Sequence, residues 1–250
     1  MSSVIIGVDE AGRGPAIGPL VVSSICIPAE DLPHLESIGA KDSKAMSSKK
    51  RRAVESSILR ESKKRDWRVC RIPISAKSID EERASKSLNS IEIERFVQAI
   101  LEVSDHESTG WVHVDLLGSD PSNFSKMVRK RISELRPGLQ VKSEIGMDGL
   151  CASTGAASIL AKVMRDSRIL EISEEVGFDV GSGYPSDSKT IDAIRILTSG
   201  GMPNTNLRWT WSTVSRIWSE RHEGPVPIRT SKGTLIQQSL NSSLPEEGVR

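Results

Sequence analysis

Hydrophobic positions along this chain follow two different periods, and each period predicts a different kind of element. Short runs rich in β-branched residues are typical of strands. They occupy residues 4–8, 20–27, 67–74, 111–117 and 139–143. Apolar residues three or four apart, or a polar helix-permissive composition, predict helices. The predicted helices cover residues 47–64, 88–103, 121–136, 152–176, 186–199 and 210–220.

Strands and helices alternate from the middle of the chain onward, which favours an α/β domain built on a mixed sheet. The first two strands lie close together in sequence, so we expect them to pair antiparallel. From residue 222 the composition turns to Pro, Ser, Gly and Glu without periodicity. We therefore predict a main domain over residues 1–200, a helical extension over 201–221, and a mobile or disordered tail over 222–250.

The composition is that of an ordinary folded protein. A chain of 250 residues that is 37% hydrophobic and 4% aromatic can bury a core made mostly of aliphatic side chains. Its 34 Lys and Arg residues nearly balance 33 Asp and Glu residues, for a formal net charge of +1. The overall charge therefore does not indicate a nucleic-acid binder, and any basic surface has to come from the distribution of charges.

The cysteines and the apolar runs bear on the compartment. Cys26, Cys70 and Cys151 are far apart and form no C-x-x-C pair, so neither a zinc site nor a disulfide framework is indicated. The first residues lack a basic region followed by an apolar run, and no apolar run approaches the roughly 18 residues that span a membrane. We expect a soluble, cytoplasmic protein.

Two predicted strands carry an aspartate near their carboxyl ends, where sites form in α/β sheets. Because side chains alternate along a strand, Asp9 lies on the face opposite Val8, and Asp115 on the face opposite Val114. A lone Asp at a strand end is usually a turn or capping residue. Two of them on the less aliphatic face, with Glu10 beside the first, favour a functional site.

The predicted helix over residues 152–176 supplies a further carboxylate. Small residues near its start, Ala156-Ala157-Ser158, would let it pack close to the sheet. Asp166 lies one turn beyond Lys162 on the same helix face. A surface ion pair between these two side chains is the plain alternative, and spacing alone does not exclude it.

Four carboxylates without a His or Cys cluster indicate hard cations. Mg²⁺ and Mn²⁺ prefer oxygen ligands and retain waters that a phosphate can displace. Two such ions roughly 3.5–4 Å apart can hold an in-line displacement at phosphorus, one activating water and the other stabilising the leaving oxygen. The sequence therefore predicts a metal-dependent nuclease.

The glycines that follow the first strand also match part of a dinucleotide-binding fingerprint. Gly12 and Gly14 occupy the first two positions of G-x-G-x-x-G, but Ile17 stands where the third glycine is required. Pro15 and Pro19 suit an extended return of the chain, and a second strand is predicted next. The fingerprint therefore lacks the strand-to-helix context that it requires.

A series of short segments shares its residues and its order with one known family across residues 4–218. The segments are GVDEAGRGP from Gly7, GPLV from Gly18, KDSK from Lys41, SLNSIE from Ser87, HVD from His113, AASILAKV and the nearby RD from Ala156, GSGYPSD from Gly181, and RWTWS from Arg208. Each is modest alone. Together they resemble ribonuclease HII, the type 2 ribonuclease H, especially its archaeal form. Residues 149–155 depart from this pattern, because a more aliphatic, strand-like segment is expected there.

The resemblance implies a ribonuclease H-like fold, with a mixed five-stranded sheet flanked by helices and a C-terminal helical extension. It implies an endonuclease that hydrolyses the RNA strand of RNA–DNA hybrids and cuts 5′ of a single ribonucleotide embedded in duplex DNA, leaving 3′-hydroxyl and 5′-phosphate ends. Residues 1–200 would then be the catalytic domain, with Mg²⁺ or Mn²⁺ as cofactor. The implied catalytic and metal-binding carboxylates are Asp9, Glu10, Asp115 and Asp166.

The resemblance also implies substrate-binding residues. Gly12-Arg13-Gly14 would read the 2′-hydroxyl mostly through backbone groups, Tyr184 would stack on the following sugar, and Lys44 would hold a phosphate. Only glycine lets the backbone approach a sugar this closely, and the 2′-hydroxyl separates RNA from DNA. A buried filler is the plain alternative for Tyr184, but its polar, glycine-rich setting favours an exposed platform.

Other functions and partners stay open at this point. A non-catalytic hybrid-binding protein of the same fold would not need four carboxylates. A recombinase-like nuclease of the same superfold would have no reason for the Gly-Arg-Gly and Gly-Tyr-Pro-Ser-Asp segments. We predict a monomer. Residues 237–244 resemble a sliding-clamp-binding motif without its aromatic pair; because short motifs match by accident, a chance match is favoured over a weak clamp contact.

Overall fold

The centre of the molecule is a five-stranded mixed sheet, seen in a computed structural model that describes residues 3–40, 46–115, 120–230 and 233–235. Its strands are β1 (Val4–Ala11), β2 (Leu20–Pro28), β3 (Arg68–Ile74), β4 (Gly110–Asp115) and β5 (Leu139–Glu144). They lie in the order β3-β2-β1-β4-β5. β2 runs antiparallel to β1 and β3, whereas β4 runs parallel to β1 and β5. The predicted mixed α/β sheet is confirmed.

The helices agree with the predicted periodicity and add three short ones. The described helices are α1 (Leu32–Ser37), α2 (Ser48–Ser62), α3 (Ala76–Arg83), α4 (Leu88–Glu102), α5 (Pro121–Ile132), α6 (Met147–Leu150), α7 (Ala152–Val176), α8 (Ser188–Leu197) and α9 (Ser212–Ser219). A 3₁₀ turn, Ala29–Asp31, precedes α1. The prediction missed α1, α3 and α6, because helices of four to eight residues are too short to show a clear period.

The two faces of the sheet are covered by different helices. On one face, Ile6 and Val8 of β1 and Val112 and Val114 of β4 join a buried cluster with α4 and α5. On the other face α7 lies directly against β1 and β2. Gly7 permits this approach, because a Cβ built there would lie 2.0 Å from the backbone carbon of Ser153. The small residues predicted at the start of α7 therefore serve close packing.

The C-terminal half of α7 carries a second layer formed by α8 and α9. Their apolar side chains form a buried cluster with the segment that follows β1, including Ile17, and with Leu207. Ile17 and Leu207 also form an isolated antiparallel bridge. This bridge brings the glycine-rich loop after β1 against the segment before α9. A strand rather than a helix follows that loop, which excludes the dinucleotide-binding alternative.

The expected unstructured tail differs from the structure over part of its length. Residues 228–230 and 233–235 form a two-stranded hairpin, β6 (Ile228–Thr230) and β7 (Gly233–Leu235). Arg229 is buried and donates to Asp80 of α3 at 3.0 Å and to the Leu207 carbonyl at 3.1 Å. The sequence pattern of the tail could not indicate this ion pair, because Arg229 and Asp80 are 149 positions apart. None of the described helices is both long and apolar enough to cross a bilayer.

Candidate active site

A cleft of about 510 Å³ opens where β1 and β4 end. It is lined by the ends of these strands, the loop after β1, the middle of α7 and the loop before α8. The cleft brings together the four predicted carboxylates, the Gly12-Arg13-Gly14 loop and Tyr184. Lys44, the predicted phosphate-binding residue, lies outside the described residues.

Asp9 and Asp115 come together because β1 and β4 are parallel neighbours. Val8 pairs with Val114, so the next residue of each strand reaches the cleft at the same sheet edge. Asp9 is buried, and its Oδ1 accepts the Glu10 backbone N–H at 2.7 Å. Side-chain alternation predicts both aspartates on the less aliphatic face of the sheet, and in the structure α7 covers that face.

The charges of this carboxylate group repel one another in a buried setting. Burial, followed by repulsion from Glu10 and Asp115, raises the pKa of Asp9 well above its ordinary value. Burial, followed by the charges of Glu92 and Asp115, raises the pKa of Glu10 to about 7. Such mutual repulsion favours either a proton or a bound cation.

The donor set fits a divalent ion. Glu10 Oε2 is shut off from solvent and has no hydrogen-bond partner among the described residues. Across residues 3–40, 46–115, 120–230 and 233–235, no three His, Cys, Asp or Glu side chains stand close enough to form a complete metal site by themselves. Mg²⁺ commonly takes only one or two carboxylates and completes its shell with water and substrate phosphate. The residues present suit that kind of site.

Asp166 lies in the same cleft but is already neutralised by two guanidinium groups. Its Oδ1 accepts from Arg165 Nη1 at 3.1 Å, and its Oδ2 lies 3.5 Å from Arg51 Nη2. The ion pair to Lys162 that sequence spacing suggested is not the one that forms; Lys162 instead donates to Ser158 at 2.7 Å and lies 4.0 Å from Asp148. Asp166 therefore contacts arginines at the rim of the cleft.

Asp148 is a carboxylate that the sequence reasoning missed. It is buried in α6, the short helix before α7, next to Met147, whose backbone N–H donates to Asp115 Oδ1 at 2.8 Å. Its Oδ2 faces Lys162, one of the residues that line the cleft. The available signal was an acidic residue just before the departing segment 149–155, where a strand-like stretch was expected.

The loop after β1 is held from α4. Arg13 donates to the buried carboxylate of Glu92 and, through Nη2, to Asn89 Oδ1 at 2.5 Å. Burial raises the pKa of Glu92 to about 7, although the Arg13 charge opposes the rise. Gly12 has a φ of +90°, and a Cβ there would lie 2.7 Å from the Pro19 oxygen. A glycine is therefore required where the loop turns.

Tyr184 forms part of the open rim. It is 37% exposed, in agreement with the platform and against the buried filler. The Arg165 guanidinium lies 4.8 Å from the ring centroid, and Arg165 also donates to the Ser182 carbonyl. A Cβ built at Gly14 would lie 3.5 Å from the ring. Arg165 thus links α7, Asp166 and the ring of Tyr184.

His113 is half-buried on β4. Its Nδ1 lies 3.1 Å from the Cys151 sulfur, which also lies 3.2 Å from Ser153 Oγ. Although burial opposes it, hydrogen bonding by His113 and Ser153 lowers the pKa of Cys151 to about 7. This contact joins β4 to the turn between α6 and α7.

The fold and the cleft agree with known proteins. The family model described as Ribonuclease HII matches residues 6–214. Ribonuclease HII of Methanococcus maripaludis is 33% identical over 228 residues, which are 89% of this chain and 90% of the relative. The crystal structure of ribonuclease H2 from Pyrococcus horikoshii superposes with a TM-score of 0.76 at 31% identity, over 88% of this chain and 100% of that one.

A second solved structure is the PCNA:RNase HII complex from Archaeoglobus fulgidus, with a TM-score of 0.72 at 31% identity over 84% of this chain and 95% of that one. The sheet order and its flanking helices define an α/β protein of the ribonuclease H-like class. Within that class, the chain belongs to the ribonuclease HII family and is a type 2 ribonuclease H. The predicted family, fold and enzyme class are confirmed.

Proposed function

We propose that this enzyme hydrolyses the RNA strand of RNA–DNA hybrids and cuts 5′ of a single ribonucleotide embedded in duplex DNA. One observation carries the proposal: the predicted carboxylates share a cleft with the Gly12-Arg13-Gly14 loop and Tyr184. Clustered carboxylates suit metal-assisted hydrolysis of a phosphodiester, and an exposed loop of small residues suits recognition of a sugar. The family membership supports the same substrate class.

Asp9, Glu10 and Asp115 form the proposed metal-binding group, with Mg²⁺ or Mn²⁺ as the ion. When bound, two such ions would supply activation of the attacking water and stabilisation of the leaving 3′ oxygen. Lys162 donates to Ser158, which in turn hydrogen-bonds Asp9, and so fixes the orientation of that carboxylate. The products would be 3′-hydroxyl and 5′-phosphate ends.

The fourth carboxylate has two candidates. The family resemblance assigns Asp166, which lines the cleft. The contacts favour Asp148, because it is buried beside the Met147 N–H that binds Asp115, whereas Asp166 is occupied by Arg51 and Arg165. A carboxylate paired with two guanidinium groups has less negative charge to offer a metal ion.

Substrate recognition is proposed to rest on the loop after β1 and on Tyr184. Backbone N–H groups of Gly12-Arg13-Gly14 would donate to the 2′-hydroxyl, which is used for recognition and does not attack. Tyr184 would stack on the sugar that follows the ribonucleotide, since its ring is exposed at the rim. Lys44, outside the described residues, is proposed to hold a phosphate.

The test is a labelled DNA duplex carrying one ribonucleotide, incubated with the enzyme and Mg²⁺ or Mn²⁺. We expect one cut 5′ of the ribonucleotide, abolished by a chelator, and no cut in the all-DNA duplex. Failure to cut, or a cut that survives chelation, would contradict the proposal. Equal cleavage of the all-DNA duplex would favour the recombinase-like alternative.

A sliding-clamp contact is a separate proposal. It rests on residues 237–244, which lie outside the described residues, and on the solved structure of the PCNA:RNase HII complex from Archaeoglobus fulgidus. The full chain should co-elute with an archaeal sliding clamp in size-exclusion chromatography, and a chain ending at residue 236 should not. If the full chain and the chain ending at residue 236 elute identically in the presence of the clamp, this proposal is contradicted.

A further inference from the structure

The carbonyl groups of the Gly12-Arg13-Gly14 loop are held from behind by the segment that leads into α9. Arg208 donates from Nη2 to the Gly12 oxygen at 2.6 Å and from Nη1 to the Arg13 oxygen at 3.0 Å. Trp211 donates from Nε1 to the Gly14 oxygen at 3.2 Å. Arg208 is fully buried, whereas the loop lines the cleft. Three consecutive carbonyls are therefore held on the side away from the cleft.

This arrangement fixes where the loop's donors point. In a trans peptide unit, the N–H of a residue points opposite to the carbonyl of the residue before it, and no described peptide bond is cis. The N–H groups of Arg13 and Gly14 therefore point away from Arg208. Residue 15 is proline, so the run of donors ends there. In the described part of the chain, no oxygen accepts from either N–H.

The planar guanidinium of Arg208 is well suited to holding several loop carbonyls at once. Its Nε also donates to the Gly18 oxygen at 3.0 Å, so one planar guanidinium holds both ends of the loop. Lysine could not reproduce this fork, since its donors radiate from a single atom. Burial, together with the charge of Arg165, lowers the pKa of Arg208 to about 9. A buried cation is unfavourable unless its hydrogen bonds compensate, which here are bonds to the loop.

We propose that Arg208 and Trp211 are positioning residues for ribonucleotide recognition. Arg208 holds the Gly12 and Arg13 carbonyls so that the Arg13 and Gly14 N–H groups meet the 2′-hydroxyl, and Trp211 anchors the end of the loop at the Gly14 carbonyl. The inference deepens the proposed function and rests on it. Neither side chain touches the sugar. Their effect is on selectivity for a ribonucleotide, whereas loosening the fold would weaken binding of every duplex alike.

The test measures selectivity by binding, in an Asp9→Asn background that does not cut. The dissociation constant of a duplex with one ribonucleotide is compared with that of the matching all-DNA duplex. Arg208→Lys should reduce the ratio of the two constants about tenfold, because two donors lose their fixed direction. Trp211→Phe keeps an aromatic ring but removes one donor, so we expect about a threefold reduction.

Arg136→Lys is the matched control. Arg136 also holds backbone carbonyls, those of Leu101 and Ser104 at the far end of α4, so its loss tests general stability without touching the loop. We expect its selectivity ratio to equal that of the Asp9→Asn parent. Thermal unfolding shows which variants are folded. If Arg208→Lys is not folded, the selectivity ratio of Trp211→Phe tests the proposal.

The outcomes separate this inference from the proposed function. A parent that binds both duplexes equally overturns ribonucleotide recognition itself. A selective parent whose folded Arg208→Lys and Trp211→Phe variants keep the full ratio overturns only the positioning role. A reduced ratio in these two variants, with the ratio of Arg136→Lys intact, supports it.

Discussion

The carboxylates in and beside the cleft differ in the positively charged side chains that already lie next to them. Asp166 has two guanidinium partners, Arg51 and Arg165, and Asp148 has the Lys162 ammonium at 4.0 Å. Asp9 and Glu10 lie among other carboxylates: burial and then the charges of Glu10 and Asp115 raise the pKa of Asp9. Burial and then the charges of Glu92 and Asp115 raise the pKa of Glu10. A divalent cation is therefore bound most favourably beside Asp9 and Glu10. It is bound least favourably beside Asp166, where it would compete with the guanidinium groups of Arg51 and Arg165.

This ordering predicts the effect of removing each candidate fourth carboxylate. Asp148→Asn should weaken Mn²⁺ binding at least tenfold, because losing a ligand or its close support costs one to two orders of magnitude. Asp166→Asn should change Mn²⁺ affinity less than threefold. Calorimetric titration of the two variants beside the parent gives the comparison. A larger loss in Asp166→Asn would instead support the assignment implied by the family resemblance.

Tyr184 gives a second prediction at the residue scale. Tyr184→Ala should lose more activity on a duplex with one ribonucleotide than on a long RNA–DNA hybrid, because the hybrid offers many neighbouring registers. The difference should be about tenfold, in line with the free energy of one stacking contact. Tyr184→Phe is the control and should retain both activities, since stacking needs the ring and not the hydroxyl. Equal losses on the two substrates would count against the stacking role.

At the scale of elements, periodicity predicted what is local and missed what depends on distant partners. The five strands, α4 and α7 follow from runs and spacing over a few residues. The β6–β7 hairpin does not, since it is anchored by the buried pair of Arg229 and Asp80. Arg208 was visible only as part of a motif, because its acceptor on Gly12 lies 196 residues earlier. No local pattern reports such a contact.

The contact between α7 and β1 yields a prediction about stability. Gly7→Ala should lower the free energy of unfolding by about 3 kcal/mol, because the new methyl group meets the backbone of Ser153 and the helix has to move. Gly201→Ala is the control, since a Cβ there meets nothing within 4 Å. Urea unfolding of both variants measures the difference. Equal stabilities would mean that α7 adjusts freely against the sheet.

At the scale of the whole molecule, the acidic cleft ties folding stability to pH. Glu10 and Glu92 have pKa values raised from an ordinary 4.5 to about 7. The folded state therefore binds more protons than the unfolded state between these values. Their contribution to stability is fully present below about pH 4.5 and is lost as the pH rises through about 7. A bound cation reverses this loss, because it stabilises the charged carboxylates.

The metal should therefore stabilise the protein at high pH and hardly at all at low pH. With Mn²⁺ at about 100 times its dissociation constant, linkage gives about 2.7 kcal/mol, or a rise in Tm on the order of 5–10 °C. We expect this rise at pH 8 and almost none at pH 5, where Glu10 is protonated and therefore neither attracts nor coordinates the ion. Glu10→Gln should reduce the pH dependence of the metal-free Tm, leaving the part due to Glu92, and remove most of the Mn²⁺ effect. The measurement is thermal unfolding with and without Mn²⁺ at the two pH values. An equal Mn²⁺ effect at both, or an undiminished one in Glu10→Gln, would show that the ion binds elsewhere.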